Sequence, residues 1–181
     1  MPFEFKETPI PGVVVIQPRK FGDDRGFFME TYKKSDFFDF GIKETFCQDN
    51  HSFSSKGVLR GLHFQSAPHA QGKLVRVLAG AVWDVAVDLI PGSPTFGQHY
   101  GIELSEENGT MFYIPPGFGH GFITLRDNTH FLYKCTEEYA PEVDGGVKWD
   151  DSDLSIPWPI EGEPLVSDKD SILPYLRDLS L

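Results

Sequence analysis

At 181 residues the chain is long enough for one domain, residues 1–181, with a sizeable core, and its net charge of −11 has the wrong sign for a nucleic-acid or anionic-membrane surface. An anionic small ligand remains compatible with that charge, because a pocket holds its own local field inside an acidic protein. The hydrophobic fraction of 40% and aromatic fraction of 14%, rich in Phe, suit a β-rich globular fold.

The opening "MPFEFKETPI" has neither the basic nor the apolar region of a signal peptide, and no apolar run approaches the ~18–20 residues of a membrane helix, so a cytoplasmic chain is expected. Short β-type segments then follow one another: "GVVVIQP", "RGFFMETY", "VLRGLHFQ", "KLVRVLAG", "AVWDVAVDLI", "HYGIELS", "TMFYIP", "GFITL" and "HFLYKCTEEY". Only "KKSDFFDFG" and the C-terminal "DKDSILPYLRDL" read as short helices. Gly80 marks a turn between two strands, and Asn108-Gly109 is a hairpin signal. Many short antiparallel strands predict an all-β jelly-roll barrel in which alternate residues face inward. The interior rows then contain Lys73, Val75 and Val77 on one strand, and Phe131, Tyr133 and Cys135 on another. The two cysteines, Cys47 and Cys135, read as reduced, packed residues.

"KGVLRGLHFQ" sets Arg60 and His63 in a half-apolar strand where Leu and Val pack better. His63 there is a metal ligand, a catalytic base or a space-filling side chain. Strict alternation sends Arg60 and His63 to opposite faces, and Gly61 between them is the natural place for a bulge that re-aims one. Further on, "GTMFYIPPGFGHGF" places Pro115 six residues after Gly109, and His120 three after Gly117, while His63 lies six after Gly57. These spacings resemble the two signatures of the cupin superfamily, whose Pro-Gly corner aims a histidine into the barrel. Where metal-binding cupins carry a second histidine and a glutamate, this chain has Gln65 and Lys73. Two imidazoles beside an ammonium are too few ligands for a metal site, so no metal is expected. His63, Lys73 and His120 sharing one cup instead suit acid–base work on an anionic intermediate.

"FGDDRGFFMETY", "QDNHS", "GVLRGLHFQ", "QGKLVRVLAGAVWDVAVDL", "IPPGFGHGF" and "YKCTEEYAPEVDGGVKWDD" together resemble the dTDP-4-dehydrorhamnose 3,5-epimerase family in order and spacing, from about Gly12 to Asp170. The resemblance implies a cupin-type jelly roll with a few short peripheral helices. It implies a cofactor-free epimerase that inverts C3 and C5 of dTDP-4-dehydro-6-deoxyglucose through enolates, giving dTDP-4-dehydro-L-rhamnose for dTDP-L-rhamnose biosynthesis. His63 is then the base and Asp170, close to Asp168, the acid that orients it. Tyr133 is the proton donor, or else packing. Lys73 stabilises the enolate oxygen, and His120 bonds the sugar or its keto oxygen. Arg25, Arg60 and Lys169 are implied around the diphosphate. Glu30, Gln48 and Asn50 are implied at the nucleoside, Phe28 or Tyr139 stacked on thymine, and Asp144 near the substrate. A homodimer is implied, with the strand at "RGFFMETY" crossing over so that Arg25 and Glu30 complete the partner's site. Rival readings are an enzyme inverting C3 or C5 alone, a sugar 3,4-ketoisomerase, and a silent cupin that only binds a nucleotide sugar.

Overall fold

The computed structural model describes residues 2–180. Its strands are β1 (Phe3–Glu7), β2 (Val14–Pro18), β3 (Phe21–Asp23), β4 (Gly26–Phe28), β5 (Gln48–Ser54), β6 (Leu59–Gln65), β7 (Lys73–Ala79), β8 (Ala81–Asp88), β9 (His99–Ser105), β10 (Met111–Ile114), β11 (Phe118–Thr124), β12 (Thr129–Cys135) and β13 (Asp144–Gly146). A six-stranded sheet, β1-β2-β10-β7-β12-β5, faces a five-stranded sheet, β13-β6-β11-β8-β9, and β3-β4 form a separate hairpin. All ladders between these strands are antiparallel, giving the jelly roll that the strand pattern predicts.

The core between the sheets holds Val75, Val77, Val82, Ala86, Phe112, Phe122 and Phe131. Alternation places the inward rows as expected, with Val75 and Val77 from β7 meeting Phe131 and Tyr133 from β12. Phe112 and Phe131 are at most 1% exposed, and truncating such a phenyl to Ala costs ~3–5 kcal/mol. Helix α1 (Lys34–Phe40) covers the outer face of the six-stranded sheet through Phe37, which packs on Phe3, Ile16 and Met111. The outer face of the five-stranded sheet is covered by Leu154, Trp158, Leu176 and Leu179.

Several sequence expectations change. The Asn108-Gly109 turn does not close a hairpin within one sheet, for it carries the chain from β9 in one sheet to β10 in the other. Asn108 Oδ1 accepts from the N–H groups of Ser105 and Thr110, which fixes that corner. Gly80 likewise joins strands of different sheets, at φ +81°, with Thr129 so close that a Cβ there would clash. The C-terminal helix is broken at Pro174 into α2 (Asp168–Ser171) and a 3-10 turn, η1 (Leu176–Asp178). The strand expected over "RGFFMETY" shortens to Gly26–Phe28. Strand β5 carried too little apolar pattern to be read, because its inward residues line a polar cavity. Both cysteines are free thiols, but only Cys135 is buried, and Cys47 is exposed. Among the described residues, no helix is long and apolar enough to cross a membrane.

Candidate active site

The cup opens between the two sheets. A cavity of about 260 Å³ is lined by Arg60, His63, Lys73, His120, Tyr133, Lys169 and Asp170, with Ser52, Gly121, Phe122 and Ser167. A space of about 160 Å³ adjoins it and shares His63, Lys73, Tyr133 and Lys169, adding Gln48, Asn50, Gln65, Tyr139 and Asp144. His63 and His120 come from the five-stranded sheet, where β6 and β11 place them side by side in register. Lys73 and Tyr133 come from β7 and β12 of the opposite sheet.

The ladder between β6 and β11 resolves how Arg60 and His63 share one cavity. His120 pairs with His63 and Phe122 with Arg60, so two steps on β11 match three on β6. One extra residue in β6 reverses the alternation and brings both side chains to the same side. Gly61 occupies that bulge at φ +116°, where a Cβ would lie 2.5 Å from Gly121 Cα and 2.7 Å from the His120 carbonyl oxygen. Only glycine fits there.

Each histidine has a buried carboxylate behind it. His63 Nε2 lies 2.7 Å from Asp170 Oδ1, and Asp170 Oδ2 accepts from the Gly61 N–H at 3.1 Å. Asp170 is 3% exposed. Burial pushes its carboxyl up, but the bonds from His63, Gly61 and Ser167 outweigh this and hold it below the usual value. The ionised carboxylate therefore receives an Nε2–H, which leaves Nδ1 as the basic atom of His63. The carboxylate bonded to His63 is Asp170 rather than Asp168, because Ser167 caps α2 by accepting the Asp170 N–H and turns Asp170 inward.

His120 Nε2 lies 3.0 and 3.1 Å from the two oxygens of Asp84, which is fully buried. Burial lowers the His120 pKa, and Asp84 only partly restores it, so the ring stays neutral. Asp84 escaped the sequence reading, although a lone carboxylate inside "AVWDVAV" was a legible signal that something must pair with it. Ser52 and Ser167, also in the cavity wall, gave no signal that separates them from ordinary surface serines.

Lys73 is 8% exposed, and burial lowers its pKa, against the pull of Cys135, Asp144 and Asp84. Tyr133 moves the other way: burial raises it, so the phenol keeps its proton. Neighbouring groups pushed in opposite directions are the pattern of an acid–base site. Gln65, at a ligand position of metal-binding cupins, is committed elsewhere. Its Nε2 donates to the carbonyls of His69 and Glu138, and its Oε1 accepts from the Ala140 N–H. It anchors the 138–140 segment that presents Tyr139. Among the described residues, no group of three His, Cys, Asp or Glu is placed to hold a metal ion.

Lys169 pairs with Asp144, and Tyr139 donates to the same carboxylate at 3.1 Å, forming the rim of the cup. Gln48 bonds Asn50 and receives the Tyr139 N–H. Three site candidates stand apart. Arg25 and Phe28 lie on the β3–β4 hairpin, where Arg25 pairs with Asp23 and a shallow pocket of their own is formed, and Glu30 lies just beyond it. None of the three lines the cup of this chain.

The sequence profile described as dTDP-4-dehydrorhamnose 3,5-epimerase matches residues 7–178. An enzyme of that name from Salmonella typhimurium is 51% identical over 171 residues, covering 94% of this chain and 93% of the relative. The Pseudomonas aeruginosa enzyme of the same name is 53% identical over 162 residues, 89% of each chain. Among solved structures, dTDP-6-deoxy-D-glucose-3,5-epimerase from Legionella pneumophila, in complex with dTDP-4-keto-L-rhamnose, superposes with a TM-score of 0.95 at 45% identity over 98% of this chain and 95% of that one. A 3'-monoepimerase from Streptomyces bikiniensis, in complex with dTDP-quinovose, superposes with a TM-score of 0.88 at 36% identity, covering 94% and 86%. With fold, cup and relatives in agreement, the chain belongs to the dTDP-4-dehydrorhamnose 3,5-epimerase family of isomerases.

Proposed function

We propose that the whole chain acts as one epimerase domain that inverts C3 and C5 of a dTDP-4-dehydro-6-deoxyhexose without a cofactor. The observation that supports this reading is that His63 from β6 and Tyr133 from β12, side chains able to act as base and acid, line one cavity from opposite sheets. Both carbons flank the C4 ketone, so removing either proton gives an enolate delocalised onto the C4 oxygen. His63 takes the proton at Nδ1, with Asp170 stabilising the imidazolium. The buried Lys73 ammonium bears on the enolate oxygen in a low-dielectric site, where such a charge counts most. Tyr133 delivers a proton to the opposite face. His120, neutral and held by Asp84, binds the sugar or its keto oxygen.

Arg60 and Lys169 serve the diphosphate, and Gln48, Asn50, Tyr139 and Asp144 the rest of the nucleotide sugar, because they line the same continuous space. Arg25, Phe28 and Glu30 act in the cup of a second copy. Phe27 and Phe28 are 64% and 67% exposed, an apolar hairpin tip that a partner protomer would cover. We place the enzyme in the cytoplasm, where nucleotide sugars are made and where its free thiols stay reduced. A second reading, inversion of one carbon only, draws support from the monoepimerase that shares the fold. Proton NMR of dTDP-4-dehydro-6-deoxyglucose with the enzyme in D2O separates the two. Deuterium and inversion at both C3 and C5 are expected, and inversion at one carbon alone selects the second reading.

A further inference from the structure

Asp151 closes the "VKWDD" stretch and takes no part in the cup. It is 3% exposed, and backbone N–H groups engage both of its oxygens. Oδ1 accepts from Asp153 at 2.8 Å and Leu154 at 3.0 Å, which closes its own turn. Oδ2 accepts from the Leu176 N–H at 2.6 Å, 25 residues further along the chain. A carboxylate buried only to close a turn has no need of that long-range partner.

The long-range bond acts on the strap that carries Lys169 and Asp170. Upstream, the strap is moored to the start of β6, where the Leu165 N–H donates to Gly57 and the Leu165 carbonyl accepts from Leu59. Downstream, the Lys148 N–H donates to the Pro174 carbonyl, and Asp151 holds Leu176, six residues beyond Asp170. Between the moorings, the Asp170 carboxylate reaches β6 through His63 and the Gly61 N–H. We infer that Asp151 is a positioning residue of the epimerase: it fixes the downstream end of the strap and thereby the reach of Asp170 to His63. The inference rests on His63 and Asp170 being the base and its orienting acid.

The bond can be removed from the donor side. Leu176 is the first residue of η1, and Tyr175 before it is extended at φ −77° and ψ 158°, so Leu176→Pro suits the backbone while deleting the N–H. Leu176→Ala is its control, for it loses the packing of Leu176 on the outer cluster but keeps the N–H. Asp151→Asn attacks the same bond from the acceptor side. The readouts are kcat, KM and the low-field proton resonance of the His63–Asp170 hydrogen bond, assigned by its absence in His63→Ala. Leu176→Pro and Asp151→Asn, folded by circular dichroism, are expected to lower kcat about 10- to 100-fold with KM within about threefold, as a misplaced reacting group does. The low-field resonance should be lost or displaced in both, and Leu176→Ala should keep the resonance and most of kcat. Unchanged kcat and resonance in Leu176→Pro and Asp151→Asn overturn the inference, as do equal losses in Leu176→Ala and Leu176→Pro. Full activity in His63→Ala overturns the site reading itself, and the inference with it.

Discussion

The cup and the β3–β4 hairpin carry the two groups of residues assigned to the substrate, and they are held in opposite ways. In the cup, Asp84 and Asp170 are 0% and 3% exposed, and each is bonded to a histidine. On the hairpin, Phe27 and Phe28 stand in solvent, and among the described residues Arg25 pairs only with its neighbour Asp23. A buried polar network must be satisfied within the chain, since an unpaired buried charge is costly. An exposed tip bears no such constraint and is free to be completed from outside. If the proposed dimer holds, the chemistry belongs to one protomer and part of the binding to two, and variants in the two regions should differ in kind.

The largest effect is expected for His63→Ala, which should lower both deuterium exchange and inversion by ~10²–10⁴-fold, the usual cost of a positioned base. Near-normal turnover would leave the cup without its base. Next comes Tyr133→Phe, which keeps the ring in its row beside Phe131 and removes only the hydroxyl that would carry the proton. Inversion should fall ~10²-fold while exchange at C3 or C5 continues from the His63 side, as followed by NMR in D2O. Equal loss of both would make Tyr133 a binding residue.

A smaller, graded effect concerns Lys73. Burial lowers its pKa, so its ammonium loses its proton, and the enolate its positive charge, as pH rises. The alkaline fall in kcat should therefore begin below the ~10.4 of an ordinary lysine. Tyr133 cannot account for that limb, because its own pKa is raised. A kcat flat through that range would remove Lys73 from the chemistry. The smallest effect belongs to the hairpin: Arg25→Ala should raise KM about 10-fold with kcat nearly unchanged, the loss of one charge-assisted contact. A fall in kcat without a change in KM would move Arg25 from binding into the cup and erase the contrast between the regions.

The apolar strands and the Pro-Gly corner before His120 were legible in the sequence, since each is a local matter of alternation or turn chemistry, and the resemblance to the cupin signatures marked Gln65 and Lys73 as standing where metal-binding members carry ligands. The same reading named Gly61 as the place for a bulge, but the register that turns Arg60 and His63 to one side exists only in the pairing of β6 with β11. Strand β5 was missed because its inward row faces a polar cavity rather than a core, which removes the apolar alternation. Asp84 was visible as a misfit and unreadable as a partner, because His120 comes to it from 36 residues away. Asp170 was named through the family resemblance, while local chemistry alone did not separate it from Asp168; the cap by Ser167 and the strap that lays α2 against β6 show why Asp170 is the one that reaches His63. Residue types and short spacings determined which chemistry the chain can perform. Only tertiary structure decided which groups meet, because a hydrogen bond between side chains 107 residues apart depends on how the intervening strands pair.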